Sequence, residues 1–81
     1  MYHITQKDKK EILKILFKHK CKCKMSVLVK EYSYANDKQS KRAKIREVIK
    51  RLNKELQKML KVEIVENGAW VEIIFKGKEN M

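Results

Sequence analysis

The hydrophobic positions in the first part of the chain predict one clear helix and one ambiguous segment. Apolar residues over Gln6–Lys18 fall on one broad helical face, and Thr5 followed three residues later by Asp8 is typical of a helix N-terminus. The next apolar stretch, MSVLVKEYSY, combines β-branched valines with a helical spacing, so it fits either a short strand or a short helix. We predict a helix from 26 to about 33 and leave a residue or two of strand at 23–25 as an open alternative.

The longest regular pattern predicts a helix over residues 37–60. Its apolar residues recur at steps of three and four, which is typical of a helix packed on a core. The segment is rich in residues that favour helices, and Asn36 and Asp37 are suitable N-caps. The apolar stripe consists of Ile45, Val48, Ile49, Leu52, Leu56, Met59 and Leu60.

The hydrophobic period then changes to one that favours β-strands. Residues 62–65 and 70–75 are rich in β-branched and aromatic residues, and Asn67-Gly68 between them is a strong signal for a two-residue hairpin turn. The whole pattern predicts an α+β fold in which three helices are followed by a C-terminal β-hairpin.

The composition fits one small domain over 1–81, with an ordered core from about 5 to 76. The chain has 81 residues, of which 43% are hydrophobic, so it can form one modest core. No apolar run approaches the ~20 residues of a membrane span, and the N-terminal residues lack the apolar segment of a signal peptide. We therefore expect a cytoplasmic protein that does not bind membranes.

Positive charge is the strongest functional signal in the sequence. The chain has a net charge of +11, but residues 1–61 carry 19 basic and 6 acidic side chains, whereas residues 62–81 carry 2 and 4. A small basic chain attracts polyanions, of which nucleic acid is the commonest. The alternative explanation is a genome whose bias places lysine on every protein surface. That bias accounts for many lysines but less well for the acidic residues gathered in the C-terminal part.

Three helices followed by a hairpin resemble the winged helix-turn-helix, in which the third helix enters the major groove of DNA and the hairpin forms the wing. The segments KIREVIKRLNKELQ, residues 44–57, and VEIVENGAWVEI, residues 62–73, resemble the corresponding helix and hairpin in the DNA-binding effector domains of OmpR/PhoB-type response regulators. Trp70 lies near the position where those domains have a tyrosine. The resemblance implies a transcriptional regulator that binds double-stranded DNA, and such proteins commonly act as homodimers.

A helical projection of residues 37–60 puts a basic face opposite the apolar stripe, with Lys44 at one edge. In helix-turn-helix proteins the start of the recognition helix approaches base edges, and later residues meet the backbone. We therefore predict base-edge contacts by Gln39, Ser40, Ala43, Arg46, Glu47 and Lys50. We predict phosphate contacts by Arg51, Lys54 and Lys58, and by Lys38, Lys41 and Arg42 at the start of the helix. The alternative is a solvated face whose side chains support one another.

Two other functions remain open. An RNA- or ribosome-associated protein would expose aromatic residues for base stacking, but Phe17, Trp70 and Phe75 occupy apolar positions and are predicted to lie in the core. A winged-helix protein-interaction module would use its hairpin to bind a partner, because acidic residues such as Glu63 and Glu66 weaken contact with phosphate.

The cysteines and histidines do not predict a metal site. His19, Cys21 and Cys23 lie within five residues, but a structural zinc site needs four ligands and usually a wider cysteine spacing. An exposed thiol pair beside lysines would have a lowered pKa and respond to oxidants. We favour the alternative of a polar loop with one cysteine in the core. Because the sequence has no phosphate-binding glycine-rich loop and no catalytic arrangement, we expect no enzyme activity and no cofactor.

Overall fold

The computed structural model describes residues 3–34, 37–59 and 61–75. Within these ranges the chain forms α1 (Gln6–Lys18), β1 (Lys22–Lys24), α2 (Met25–Glu31), α3 (Lys38–Met59), β2 (Val62–Asn67) and β3 (Trp70–Phe75). The predicted α+β chain with three helices and a C-terminal hairpin is confirmed. The proposed cap Asn36, the apolar residue Leu60 and the expected core boundary at 76 lie outside the described residues.

Helix α1 begins where the sequence predicts, because Thr5 and Asp8 cap it. The Asp8 amide donates to Thr5 Oγ1 at 3.2 Å, and the Thr5 amide donates to Asp8 Oδ2 at 3.0 Å. These two hydrogen bonds satisfy backbone donors that have no partner within the first turn of a helix. The predicted N-cap is confirmed.

The start of α2 is held by the hairpin rather than by a side-chain cap. The helix begins at Met25, one residue before the predicted Ser26, and ends at Glu31. Its N-cap residue, Lys24, makes no side-chain cap hydrogen bond, whereas the Met25 amide donates to the Ala69 carbonyl at 2.8 Å. The turn of the hairpin therefore lies beside the first residue of α2. The residue or two of strand that the sequence left open at 23–25 is observed as β1.

The strands form an antiparallel sheet in the order β1-β3-β2, so β3, the last of the described strands, lies in the middle. The hairpin register pairs Asn67 with Trp70, which makes Gly68 and Ala69 the two turn residues. The turn predicted at Asn67-Gly68 is therefore wrong by one residue. Gly68 has a φ of +63°, a left-handed conformation that glycine adopts with little strain.

The core lies between one face of the sheet and the three helices. On the sheet, Ile64, Val71 and Ile73 alternate with residues that face away from the helices. The helices contribute buried residues that include Ile12, Leu16, Leu28, Ile45, Val48 and Leu52. The layout is compatible with a winged-helix-like arrangement. Within the described ranges, no helix is long and apolar enough to cross a membrane.

Three aromatic residues that the sequence placed in the core are exposed. Phe17 is 58% exposed, Trp70 is 41% exposed and Phe75 is 71% exposed. Trp70 lies on the face of β3 opposite to Val71, because successive residues of a strand point to opposite faces. The prediction that these three aromatic residues lie in the core is therefore wrong, and all three are accessible to solvent.

Candidate nucleic-acid interface

One side of α3 joins α2 and the hairpin turn in a basic surface. Two adjoining depressions share Ser26 and Arg42, one reaching toward the hairpin and the other toward the C-terminal half of α2. Lys38, Arg42 and Arg46 follow one another at four-residue steps, so they lie along one face of the helix. The α2–α3–hairpin surface, as we call it, comprises Met25, Ser26, Val29, Lys30, Lys38, Lys41, Arg42, Arg46, Glu66, Gly68 and Ala69.

Two of the predicted phosphate- and base-contacting residues are already hydrogen-bonded within the protein. Lys41 Nζ donates to the Val29 carbonyl at 2.9 Å, so Lys41 braces α3 against α2. Arg46 donates to both carboxylate oxygens of Glu66, from Nε at 3.0 Å and from Nη2 at 2.8 Å. Arg46 thus lies on the predicted surface, but its guanidinium is paired with the carboxylate of Glu66 in the hairpin.

The other side of α3 faces α1 across a second basic groove, and an ion pair between Lys9 and Glu55 links the two helices there. The groove brings two predicted base-edge residues, Glu47 and Lys50, beside predicted phosphate-contacting residues. The α1–α3 groove is lined by Lys9, Glu47, Lys50, Arg51, Lys54, Glu55 and Lys58. The predicted interface is therefore divided between two sides of one helix.

The length of α3 also separates the predicted contacts. Its 22 residues span about 33 Å at about 1.5 Å per residue. In helix-turn-helix proteins it is the start of the recognition helix that contacts base edges. A duplex that meets Lys38 at the start of α3 is therefore remote from Lys58, which lies about 30 Å further along the axis.

Three predicted base-edge residues line neither of these two surfaces. Gln39 is exposed, whereas Ser40 and Ala43 are partly buried. The Ser40 amide donates to Asp37 Oδ1 at 2.7 Å, and hydrogen bonding from Ser40 lowers the pKa of the Asp37 carboxyl. Asp37 therefore caps α3 as predicted, and Ser40 contributes its backbone to that cap.

Asn53 fixes the hairpin against α3, a role that the sequence analysis missed. Its side-chain nitrogen donates to the Ile64 carbonyl at 2.9 Å, and its Oδ1 accepts from the Ile64 amide at 2.7 Å. Because β2 is an edge strand in the described part of the sheet, no strand within residues 3–34, 37–59 and 61–75 pairs with these backbone groups. The only signal in the sequence is a polar amide next to Leu52, at the margin of the apolar stripe.

Lys44 lies in the interior of the protein and not on the basic face. It is 8% exposed, and its Nζ lies 3.5 Å from Asp8 Oδ2 and 4.1 Å from the ring centroid of Tyr34. Tyr32 Oη donates to Asp8 Oδ1 at 2.7 Å. Burial opposes ionisation of Asp8, but hydrogen bonds from Thr5 and Tyr32 and the charge of Lys44 outweigh it and lower the pKa of Asp8 to about 2.

The cysteines do not form an exposed pair. Cys23 is a core residue of β1 and Cys21 is partly buried, so the prediction of one cysteine in the core is confirmed. Burial and the charge of Glu31 raise the pKa of Cys23, which contradicts the interpretation as an activated thiol. His19 Nε2 lies 2.8 Å from Glu31 Oε2. Among the described residues, no three His, Cys, Asp or Glu side chains come together as potential metal ligands.

No family model matches the chain, and comparison with curated proteins and with solved structures finds no significant match. Any function proposed for this chain therefore depends on its own residues and their geometry.

Proposed function

We propose that this chain is a winged-helix transcriptional regulator that binds double-stranded DNA with the N-terminal half of α3 in the major groove. The observation that carries the proposal is the shared surface of Lys38, Arg42 and Arg46 with α2 and the hairpin turn. In helix-turn-helix proteins the start of the recognition helix meets base edges while neighbouring elements meet phosphates. The sheet order and the position of the hairpin beside α2 are compatible with that arrangement.

We propose different roles for the residues along α3 according to their position on the helix. Gln39 and Ala43 remain candidates for base-edge contact, because they lie in the first turns of the helix. Arg42 and Lys38 are suited to phosphate or guanine contact, and Lys30 extends the positive charge onto α2. The basic residues beyond Lys50 lie too far along the helix to enter the same groove.

A comparison of two double variants tests this assignment. Lys38→Ala with Arg42→Ala removes two positive charges from the α2–α3–hairpin surface, whereas Lys54→Ala with Lys58→Ala removes two from the α1–α3 groove. Binding is measured as the fluorescence anisotropy of labelled random-sequence duplex DNA at several salt concentrations. We expect the first pair to weaken binding at least ~10-fold and to reduce the slope of log K against log salt by about two. We expect the second pair to weaken it less than ~3-fold.

The ranking of the two variants decides the proposal. The opposite ranking would place DNA in the α1–α3 groove and contradict the winged-helix docking. Equal losses would mean that only the overall charge of the protein attracts DNA. The stoichiometry at saturation tests the proposed homodimer, since two copies would bind one duplex.

RNA binding is a second candidate, and the exposure of Trp70 favours it. RNA-binding proteins commonly stack unpaired bases on exposed aromatic side chains. Single-stranded RNA as a competitor in the same titration separates the two functions. Displacement of duplex DNA by equimolar RNA would favour the second candidate.

A further inference from the structure

Trp70 forms an aromatic and basic patch on the side of the sheet that faces away from the helices. Trp70 is 41% exposed, and Lys22 Nζ and Lys24 Nζ lie over its ring, 5.2 Å and 5.6 Å from the centroid. Lys24 is the direct cross-strand neighbour of Trp70, and Lys22 lies two residues away on the same face of β1. Two exposed lysines therefore flank one accessible indole.

The chemistry of the patch restricts the class of ligand that it can bind. Two ammonium groups over the ring disfavour a cationic ligand, although an indole alone would attract one. A ligand that is both planar and negatively charged can use the ring and the lysines together. Nucleotides have both properties, since the base offers a π-face and the phosphates carry the charge.

We propose that Trp70, Lys22 and Lys24 bind an unpaired base of single-stranded DNA. The base stacks on the indole in place of the two ammonium groups, which move from the ring to the flanking phosphates. Asn67 is the cross-strand neighbour of Trp70 on the other side, where its amide can hydrogen-bond a base edge. Stacking on an aromatic ring does not select one base, so the site accepts any sequence.

The patch adjoins the surface proposed for duplex DNA without overlapping it. Ala69, the residue before Trp70, belongs to the turn that borders α2 and the α2–α3–hairpin surface. A strand that leaves a duplex held on that surface can therefore reach the indole. Only the choice of DNA over RNA as the source of the base rests on the proposed function; the stacking site itself does not.

The single tryptophan of the chain gives a direct measurement. A base stacked on Trp70 quenches its fluorescence, whereas binding elsewhere on the protein does not. We expect a ten-nucleotide oligothymidylate to quench Trp70 emission saturably at low salt, and a ten-unit abasic sugar–phosphate strand to bind without quenching. A ten-nucleotide oligouridylate that bound at least tenfold more tightly would overturn the assignment to DNA.

Substitutions separate stacking from general electrostatic attraction. We expect Trp70→Leu to weaken binding of labelled oligothymidylate about tenfold, as measured by anisotropy. Phe75→Leu is the matched control, because it removes another exposed aromatic residue from the same strand and should leave binding within about twofold. Lys22→Gln with Lys24→Gln should weaken binding while preserving the quenching at saturation.

The inference and the proposed function fail in distinguishable ways. Oligothymidylate binding without a change in Trp70 emission, or equal losses for Trp70→Leu and Phe75→Leu, would overturn the stacking site. If oligothymidylate does not quench Trp70 emission but blunt duplex still binds, the stacking site is overturned and the proposed function stands. Quenching by oligothymidylate without any duplex binding would overturn the proposed function alone.

Discussion

Arg46 of α3 and Glu66 of β2 form a bidentate ion pair across the α2–α3–hairpin surface. The guanidinium donates to both carboxylate oxygens, at 3.0 and 2.8 Å. Hydrogen bonding and the charge of Arg46 lower the pKa of Glu66 despite partial burial of the carboxyl, so Glu66 remains ionised at neutral pH. Glu66 therefore places a negative charge on the surface that we propose for DNA, and it occupies one of the two arginines there that could contact guanine.

Glu66→Gln should increase the affinity for duplex DNA several-fold. The substitution removes the negative charge and leaves Arg46 available to phosphate or base, so the slope of log K against log salt should steepen by about one. Because the Arg46 side chain is 55% exposed, the free energy of unfolding should change by less than about 1 kcal/mol. Duplex anisotropy and urea unfolding measure the two quantities.

Glu63→Gln is the matched control, since it removes the same charge from the same strand on the opposite face of the sheet. It should change duplex affinity less than Glu66→Gln does. A loss of affinity in Glu66→Gln would show that the carboxylate holds Arg46 in a binding position instead of competing with DNA.

Asn53→Ala should destabilise the protein by about 1–2 kcal/mol. The substitution leaves the Ile64 amide and carbonyl of the edge strand without their partners, and the better helix propensity of alanine offsets part of that loss. In thermal unfolding the midpoint should fall by about 4–8 °C for each kcal/mol. Gln57→Ala, which removes an exposed amide from the same helix, should stay within about 0.5 kcal/mol of the wild type. Equal effects of the two substitutions would show that Asn53 does not hold the hairpin.

Asp8 should make the free energy of unfolding depend on pH in the acidic range. Its pKa falls from 3.8 to about 2 on folding, so its contribution is present above about pH 4 and is lost as the pH falls toward 2. The carboxylate side chain is only 16% exposed, and the shift corresponds to about 2 kcal/mol. Urea unfolding of Asp8→Asn and wild type should therefore differ by about that amount at pH 6 and converge near pH 2. A difference that does not depend on pH would assign the effect to packing and not to ionisation.

Local signals in the sequence were sufficient for the elements. The cap formed by Thr5 and Asp8 involves residues three apart, and the apolar stripe of α3 repeats within single turns, so both can be predicted without knowledge of the fold. The short strand β1 was only a minor possibility in the sequence. It is stabilised by pairing with β3, whose residues lie almost fifty positions later in the chain, such as Val71 opposite Cys23.

The candidate site was harder to predict because long-range contacts determine which side chains are available. Lys44 and Arg46 are neighbours on a basic helix, yet Asp8 draws one into the interior and Glu66 holds the other on the surface. Trp70 was assigned to the core because alternation along a strand does not say which face the helices cover. That choice depends on the packing of the whole sheet, and it exposes the residue that we propose as a stacking platform.

Lys20→Gly should stabilise the protein, because Lys20 occupies a position at the end of α1 that favours glycine. Its φ is +61°, and its amide donates to the Phe17 carbonyl at 3.1 Å while the Cys21 amide donates to the Leu16 carbonyl at 2.7 Å. This is the hydrogen-bond pattern of a Schellman motif, in which a residue with a Cβ atom costs about 1 kcal/mol in the left-handed conformation.

Because the side chain of Lys20 is exposed, its replacement by glycine removes the strain without leaving a cavity. The midpoint of thermal unfolding should rise by about 4–8 °C if the full 1 kcal/mol is recovered, and by less if the flexibility of glycine in the unfolded chain offsets part of it. Lys14→Gly removes the same charge from an exposed position within the helix and should destabilise the protein by about 1 kcal/mol. A fall in the midpoint for both variants would show that Lys20 is not strained. A rise for Lys20→Gly and a fall for Lys14→Gly would show that the left-handed conformation of Lys20 destabilises the wild-type protein.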